Sequence, residues 1–418
     1  MGTHSPRHLT GLDGLRGLAA LSVLAYHVSN ILLPDIRHRA PELVFALHQG
    51  LNLFFVLSGF LLFLGFAERL VDGRELPSVG RYAVNRALRL WPAYATVFLV
   101  TNCVFGLSFV GHGRTGRVDP VSFVADLTLL QTLSPETIRS GLEVAWTLTV
   151  ELTFYACLPL LAFAAARLGR RLSGWTRAGI PVVALAAIGA AGYIWQTTTS
   201  PHGWSHDWES VASRSLLVHA QLFALGMTAT LLFVAVQRAA FSGEGRRILR
   251  LAALVVAIGA AVVCLAHRRS DLADTLAALS FAALLLVAVV PGRTGRPGLV
   301  GRMLDLPVLR GLGLISFGVY LWHMPVVRGL DRWVPRIGGG GWPHYLAAVA
   351  LVGAVSVALA TITYLVVERP AMRLRSRLSP RGPRSTPVRE EVARDAPRAA
   401  AREALVGAGR SQARPRST

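Results

Sequence analysis

LDGLRGLAALSVLAYH, residues 12–27, decides the fold class. Carried on to Leu33 it is long and apolar enough to cross a bilayer, yet it holds Arg16 near one end and His27 near the other. A charged side chain at the centre of a membrane helix costs roughly 3 kcal/mol, so an ionisable residue inside a span is a functional hypothesis by default. The two stand 11 residues apart. On an α-helix that is about 16 Å of rise and only about 20° of rotation, so they share one face.

The rest of the chain repeats the pattern. Of 418 residues 53% are hydrophobic and 16% charged, with mean hydropathy +0.48. That is more apolar surface than one water-soluble core can hide. Ten segments approach the ~20 apolar residues a crossing needs: 12–33, 44–67, 91–110, 146–166, 179–196, 215–237, 251–266, 274–291, 312–330 and 344–367. The expected fold is an all-α polytopic membrane protein of about ten transmembrane helices. Residues 1–370 form its membrane domain, and 371–418 form an Arg/Pro-rich disordered cytoplasmic tail suited to anionic lipid. Val121–Leu133 is too short to cross and lies in the interface or re-enters.

Net charge is +20 and every basic residue is Arg. In a soluble chain this would point to nucleic acid; here hydropathy overrides that reading. Thirty-two of the 43 Arg fall on one side of the ten-span arrangement, including Arg7, Arg16, Arg81 and the tail. By the positive-inside rule both termini are cytoplasmic, in a multi-pass plasma-membrane protein. Cys103, Cys157 and Cys264 lie in apolar spans without a disulfide or zinc pattern. The first apolar run is a retained span and not a cleaved signal.

The remaining intramembrane polar residues are few. In AWTLTVELTFY, Glu151 lies about 9 Å into its span, with Thr147 and Tyr155 at i−4 and i+4 able to bond its carboxylate. In SFGVYLWHMPV, His323 lies about 16 Å into its span, and Pro325 frees backbone carbonyls nearby. GLNLFFVLSGFLLF holds Asn52 and Ser58-Gly59. The latter reads as a small-residue packing notch, since a GxSxG elbow is missing. His27, Asn52, Glu151 and His323 are thus expected at similar depth, while His219 reads as a helix-to-helix hydrogen bonder. Arg86 and Arg89, at i and i+3 before Trp91-Pro92, can grip one anion together.

LDGLRGLAALSVLAYH, FFVLSGF, RALRLWPAY, WTLTVELTFY, SFGVYLWHMPV and VERP resemble, in order and spacing, the motifs of acyltransferase family 3, the multi-span membrane O-acyltransferases. The likeness runs from about Leu12 to Pro370. It implies transfer of an acyl group, usually acetyl, from cytoplasmic acyl-CoA to a hydroxyl of a sugar, polysaccharide or glycosylated natural product. The family's essential Arg and His fall on Arg16 and His27, its essential Glu on Glu151, and its cytoplasmic Arg pair on Arg86 and Arg89. Supporting positions fall on Asn52, Ser58, Trp146, Tyr155, Tyr320 and His323. The chain departs from the family at Asn52, where an acid is common, and at Leu152, where a second Glu is usual. The hydrolase-like extracytoplasmic domain of many members is not expected.

Both readings give one mechanism. Arg16, Arg86 and Arg89 hold the donor's phosphates. His27 takes the acceptor's proton, and Glu151 orients His27. Acyl-CoA is the donor substrate; no permanently bound cofactor and no metal is expected. The partners are lipid, donor and a sugar or glycoside. A secondary transporter of an anionic metabolite is the rival, opposed by the lack of an inverted repeat. The stretch PHGWSHDWES, with His202, Trp204, His206, Asp207, Trp208 and Glu209, fits an interfacial aromatic belt or a sugar grip.

Overall fold

The computed structural model describes residues 9–106, 119–199, 205–333 and 341–378. Among them every regular element is helical. Ten longer helices correspond to the predicted spans: α1 (Leu12–His27), α2 (Gly50–Asp72), α3 (Val79–Leu99), α4 (Trp146–Leu168), α5 (Gly174–Thr199), α6 (Leu216–Gln237), α7 (Gly243–Ala266), α8 (Ala273–Val289), α9 (Ser316–Trp333) and α10 (Trp342–Thr363).

Seven helical stretches are long and apolar enough to cross a bilayer: Leu12–Leu32, Pro41–Asp72, Trp146–Leu168, Gly174–Thr199, Trp208–Gln237, Gly243–Ala266 and Trp342–Leu374. The protein is therefore a multi-pass membrane protein. The other three predicted spans are helices whose sequences answer to protein neighbours as much as to lipid. Helix α3 carries Arg81, Arg86 and Arg89 in its first half, and ends well before residue 110. Helix α8 has 17 residues and buries Ala277, Ala278, Ala282 and Ala283. Helix α9 has 18 residues, buries Tyr320, Trp322 and His323, and carries Arg328, Asp331 and Arg332 toward its end.

Helix α2 is central: 72% of its apolar window is buried, against 22% for α7 at the periphery. It meets α6 backbone to backbone. Gly59 faces the Phe223 carbonyl and Gly226 the Val56 carbonyl, and a Cβ at either would collide with the oxygen opposite. Thr230 Oγ1 donates to the Phe60 carbonyl across the same seam, 3.0 Å away. Small residues gain such close approach where no hydrophobic force separates helix from lipid. The packing notch read at Ser58-Gly59 thus belongs to Gly59.

The Val121–Leu133 stretch folds into helix Pro120–Leu127 and 3-10 turn Gln131–Leu133, both too short to cross. Asp119 caps the helix, accepting from the Ser122 amide at 2.8 Å. Tyr94 of α3 donates to the Asp126 carbonyl at 2.6 Å, and Thr149 of α4 to the Leu129 carbonyl at 2.8 Å. Gly141, with φ of 75°, leaves room for the Asp126 carboxyl, which accepts from Ser140 Oγ at 2.9 Å. Anchored in this way, the stretch carries Arg139, Glu143 and Val144 to the site.

Three π-helical turns interrupt the ladder, at Val28–Leu32, Val100–Val104 and Tyr364–Glu368. The first starts one residue after His27, and the third ends on Glu368; such turns recur at functional sites. A compact helical unit runs to Arg373. Of the predicted tail 371–418, helix Arg369–Leu378 takes in the first residues. The remainder lies outside the described residues, as do Arg7, His202 and Trp204.

Candidate functional site

Two polar clusters form around α1, one at Arg16 and one at His27. Helix α1 supplies Arg16 to the first, α3 supplies Arg86 and Arg89, α2 Ser58, α4 Glu151 and Tyr155, and the third π turn Glu368. Ser58 Oγ donates to Glu151 Oε1 at 2.6 Å, and Tyr155 Oη donates to the same oxygen at 2.7 Å. Arg16 feels the charges of Arg89, Asp13 and Glu151, and Glu368 those of Arg89 and Arg16. Among the described residues none of Arg16, Arg86 and Arg89 forms an ion pair. Arg86 lies over the Tyr82 ring, 5.9 Å from its centroid. Its buried Nε has no hydrogen-bond partner, nor have Tyr82 Oη and Glu368 Oε1. Three guanidiniums without ion pairs, one of them with an unpartnered buried Nε, make an arrangement suited to an anion.

The second cluster is saturated with hydrogen bonds. His323 is fully buried, and its Nδ1 lies 2.6 Å from the Tyr320 carbonyl. A carbonyl only accepts, so His323 Nδ1 carries the proton and its Nε2 is bare when the ring is neutral. His323 Nε2 lies 3.1 Å from His27 Nδ1, which also lies 3.0 Å from the Val23 carbonyl. Both neighbours of His27 Nδ1 are then acceptors, so the His27 proton sits on Nδ1 and its Nε2 keeps a lone pair. Close by, the hydroxyls of Thr147 and Tyr320 are 2.8 Å apart and both reach the Val144 carbonyl, at 3.0 Å each.

His27 opens into a cavity of about 770 Å³, also lined by Tyr26, His48, Arg139, Glu143, Trp146, Thr147, Arg214, Tyr320 and Arg328. That volume suits a small-molecule substrate. Trp146 packs at a tilt against His219, with ring centroids 5.4 Å apart and planes 53° from parallel.

The structure brings together most of the residues singled out from sequence, in two groups and not one. Glu151 is engaged by Ser58 and Tyr155 on the Arg16 side, whereas the groups acting on His27 are His323, His48 and Arg328. The expected Glu151–His27 pairing therefore gives way to a His27–His323 pair. Thr147, expected on Glu151, bonds Tyr320 instead. Asn52 stands apart from both clusters, its Nδ2 donating to Gln49 Oε1 at 2.6 Å and to Asp274 Oδ1 at 3.0 Å. A carboxylate thus does reach the Asn52 position, lent by α8. Sequence reasoning missed His48, Arg139, Glu143, Arg328 and Asp274. It also passed over Glu368, although VERP displays it.

The chain matches the acyltransferase domain of this type across residues 9–364. It belongs to the acyltransferase 3 family. Its relatives in that family include Nodulation protein 10 of Rhizobium leguminosarum bv. viciae, 30% identical over 90% of this chain and 96% of the relative. Acyltransferase MdmB of Streptomyces mycarofaciens is 27% identical over 92% of this chain and 97% of its own. A putative peptidoglycan O-acetyltransferase, YrhL of Bacillus subtilis (strain 168), is 24% identical over 88% of this chain and 55% of its own. No solved structure matches the chain.

Proposed function

We propose that this acyltransferase moves an acyl group, most simply acetyl, from cytoplasmic acyl-CoA to a hydroxyl of a sugar, polysaccharide or glycosylated natural product. It works in the plasma membrane with both termini cytoplasmic. The carrying observation is that α1 joins two sites: at Arg16 it meets Arg86 and Arg89 of α3, three guanidiniums without ion pairs, and about 16 Å along it presents His27 with a bare Nε2. Guanidinium forks match phosphate oxygens, so Arg16, Arg86 and Arg89 hold the donor's phosphates. Ser58 and Tyr155 fix Glu151, whose charge acts on Arg16.

At the other end the acceptor's hydroxyl oxygen attacks the thioester carbonyl while its proton passes to His27 Nε2. The carbon–sulfur bond breaks, and the departing thiolate takes that proton back, leaving ester and free CoA. While His27 is cationic, its Nδ1–H bond to His323 Nε2 becomes charge-assisted. His323 is thus a positioning residue for His27. Direct transfer fits because Ser58 and its partner Glu151 belong to the Arg16 cluster and not to the His27 cluster, where the proton is taken.

Membranes holding the protein, given acyl-labelled acyl-CoA and candidate acceptors, test this. Label should appear in an alkali-labile ester of the acceptor and unlabelled CoA should accumulate. Label that crosses the membrane without forming an ester would instead make the protein a transporter. A single Cys at Ser205, in a variant lacking the native Cys, should react with an impermeant thiol reagent in intact cells; labelling from a Cys at Ser242 instead would invert the topology.

A further inference from the structure

One face of α7 changes character along its length. Residues 246, 250, 253, 257, 260 and 264 recur at steps of four and three, which places them on one stripe of the helix. From Ala253 to Cys264 the stripe is small and buried, and it packs on α8. Ser280 Oγ donates to the Ala257 carbonyl at 2.8 Å across this seam, and Cys264 Sγ to the Ala273 carbonyl at 3.2 Å. Toward the start of α7 the same stripe continues as Arg250 and Arg246. There α8 has ended, at Val289, and the chain runs on through the glycine-rich segment 291–298. Arg246 Nη2 donates to the Arg293 carbonyl of that segment at 3.2 Å, and a Cβ at Gly298 would collide with the Arg250 guanidinium. Both guanidiniums therefore turn into the end of the seam. An arginine that only marks the membrane edge turns out to water instead, as Arg247 does with 59% of its side chain exposed.

Positive charge is in excess at this corner. Glu244 is shared between Arg247 Nη1 at 3.2 Å and Arg293 Nε at 3.8 Å. Among the described residues Arg246, Arg250 and Arg296 form no ion pair. The Nε atoms of Arg246 and Arg250 are buried without a hydrogen-bond partner. Beside them lies membrane-facing surface: Leu254 and Ile258, about one and two turns on from Arg250, are exposed on this peripheral helix. We propose that the seam between α7 and α8 ends in a binding site for one anionic phospholipid, its phosphate held by Arg246 and Arg250 and an acyl chain laid along Leu254 and Ile258. Guanidinium forks match phosphate oxygens, and basic pockets between membrane helices at headgroup level take acidic lipids. A soluble phosphate would answer the charge but leave the apolar stripe unused. The segment 291–298 leads into helix Leu299–Leu304, whose Leu304 carbonyl packs on Gly14 of α1, so a lipid clamping that segment also steadies the Arg16 end of α1.

Native mass spectrometry of the purified full chain, released from detergent holding equal amounts of phosphatidylglycerol and phosphatidylcholine with the same acyl chains, tests this. The first retained lipid should be phosphatidylglycerol by about 10-fold or more, the worth of two arginines near a charged surface. Arg246→Gln and Arg250→Gln should each cut that preference several-fold, the double variant should abolish it, and Arg250→Lys should keep part of it. Arg247→Gln removes the same charge outside the seam and should leave the preference as it is. Glycerophosphoglycerol, the headgroup without its chains, should not displace the lipid at about 1 mM. Equal retention of the two lipids by the wild-type chain would overturn the inference, and so would an equal effect of Arg247→Gln and Arg250→Gln, which would make the preference a matter of diffuse surface charge. Displacement by the chain-free headgroup would overturn it in favour of a soluble phosphate. The wild-type comparison needs no variant, so it decides even where a substitution fails to fold. The site stands apart from acyl transfer, and loss of either leaves the other untouched.

Discussion

The two ends of α1 solve opposite problems. Around Arg16 the groups are left electrically unfinished, with three guanidiniums lacking ion pairs and buried atoms of Arg86, Tyr82 and Glu368 lacking partners. Around His27 almost every polar atom is spoken for, through Val23, His323, Tyr320, Thr147 and Val144, and one imidazole nitrogen is left over. An anion site works by waiting for its counter-charge. A proton-transfer site works by having its tautomer decided beforehand. The contrast teaches that ionisable residues on one helix face need not form one network.

If the His27 end is a self-contained pair, His27→Ala should cut turnover by about 100-fold or more, the usual worth of a general base, while acyl-CoA still binds. His323→Phe should lower kcat by roughly 10-fold with KM for the donor little changed, and the double variant should be no worse than His27→Ala. Steady-state kinetics in purified membranes decides. Multiplicative losses for His27 and His323 would dissolve the pair, and non-additive losses for His27 and Glu151 would fuse the two clusters into one.

At the other end, Arg86→Ala or Arg89→Ala should raise KM for acyl-CoA by about 10-fold and leave kcat within a small factor. Contacts remote from the reacting bond hold substrate and transition state alike. A loss confined to kcat would move these arginines to the chemistry and blur the contrast.

The smallest effect lies in the stretch that delivers Arg139 and Glu143. Burial pushes the Asp126 carboxyl up to about 8, with the Ser140 hydroxyl pulling it partly back. The folded protein keeps this proton where the unfolded chain, titrating near 3.9, has lost it. Stability therefore falls as pH rises from about 4 to about 8 and levels off above. Asp126→Asn should melt a few degrees higher than wild type at pH near 8, with the gap closing toward pH 5. A gap independent of pH would mean that Asp126 carries no buried proton.

Sequence and structure agree where a residue's role depends on its own helix. Arg16 and His27 are legible because 11 residues return an α-helix to the same face, and Glu151–Tyr155 because i and i+4 side chains meet. The partners that arrive from elsewhere are not legible in this way. His323 was visible as an intramembrane histidine, but its contact with His27 depends on how α9 packs against α1. Arg139 and Glu143 come from a segment without periodicity, and Asp274 from the first turn of a helix that otherwise reads as plain Ala and Leu. Three predicted spans are blurred: α8 gives up apolar length to pack its alanines against other helices, α9 ends in charged residues, and α3 opens with arginines before it buries Leu90 and the residues beyond.

Helix α1 runs unbroken from Leu12 to His27 and loosens into a π turn only at Val28. In the proposed reaction it is a gauge that compares a donor's length with its own, since phosphates held at one mark must bring the thioester level with the other. A donor with the same reactive end but a shorter arm would bind and fall short. Adding or deleting one residue between the marks would shift His27 by about 1.5 Å and swing it about 100° off the line. The gauge can be repainted by substitution, but not recalibrated by insertion.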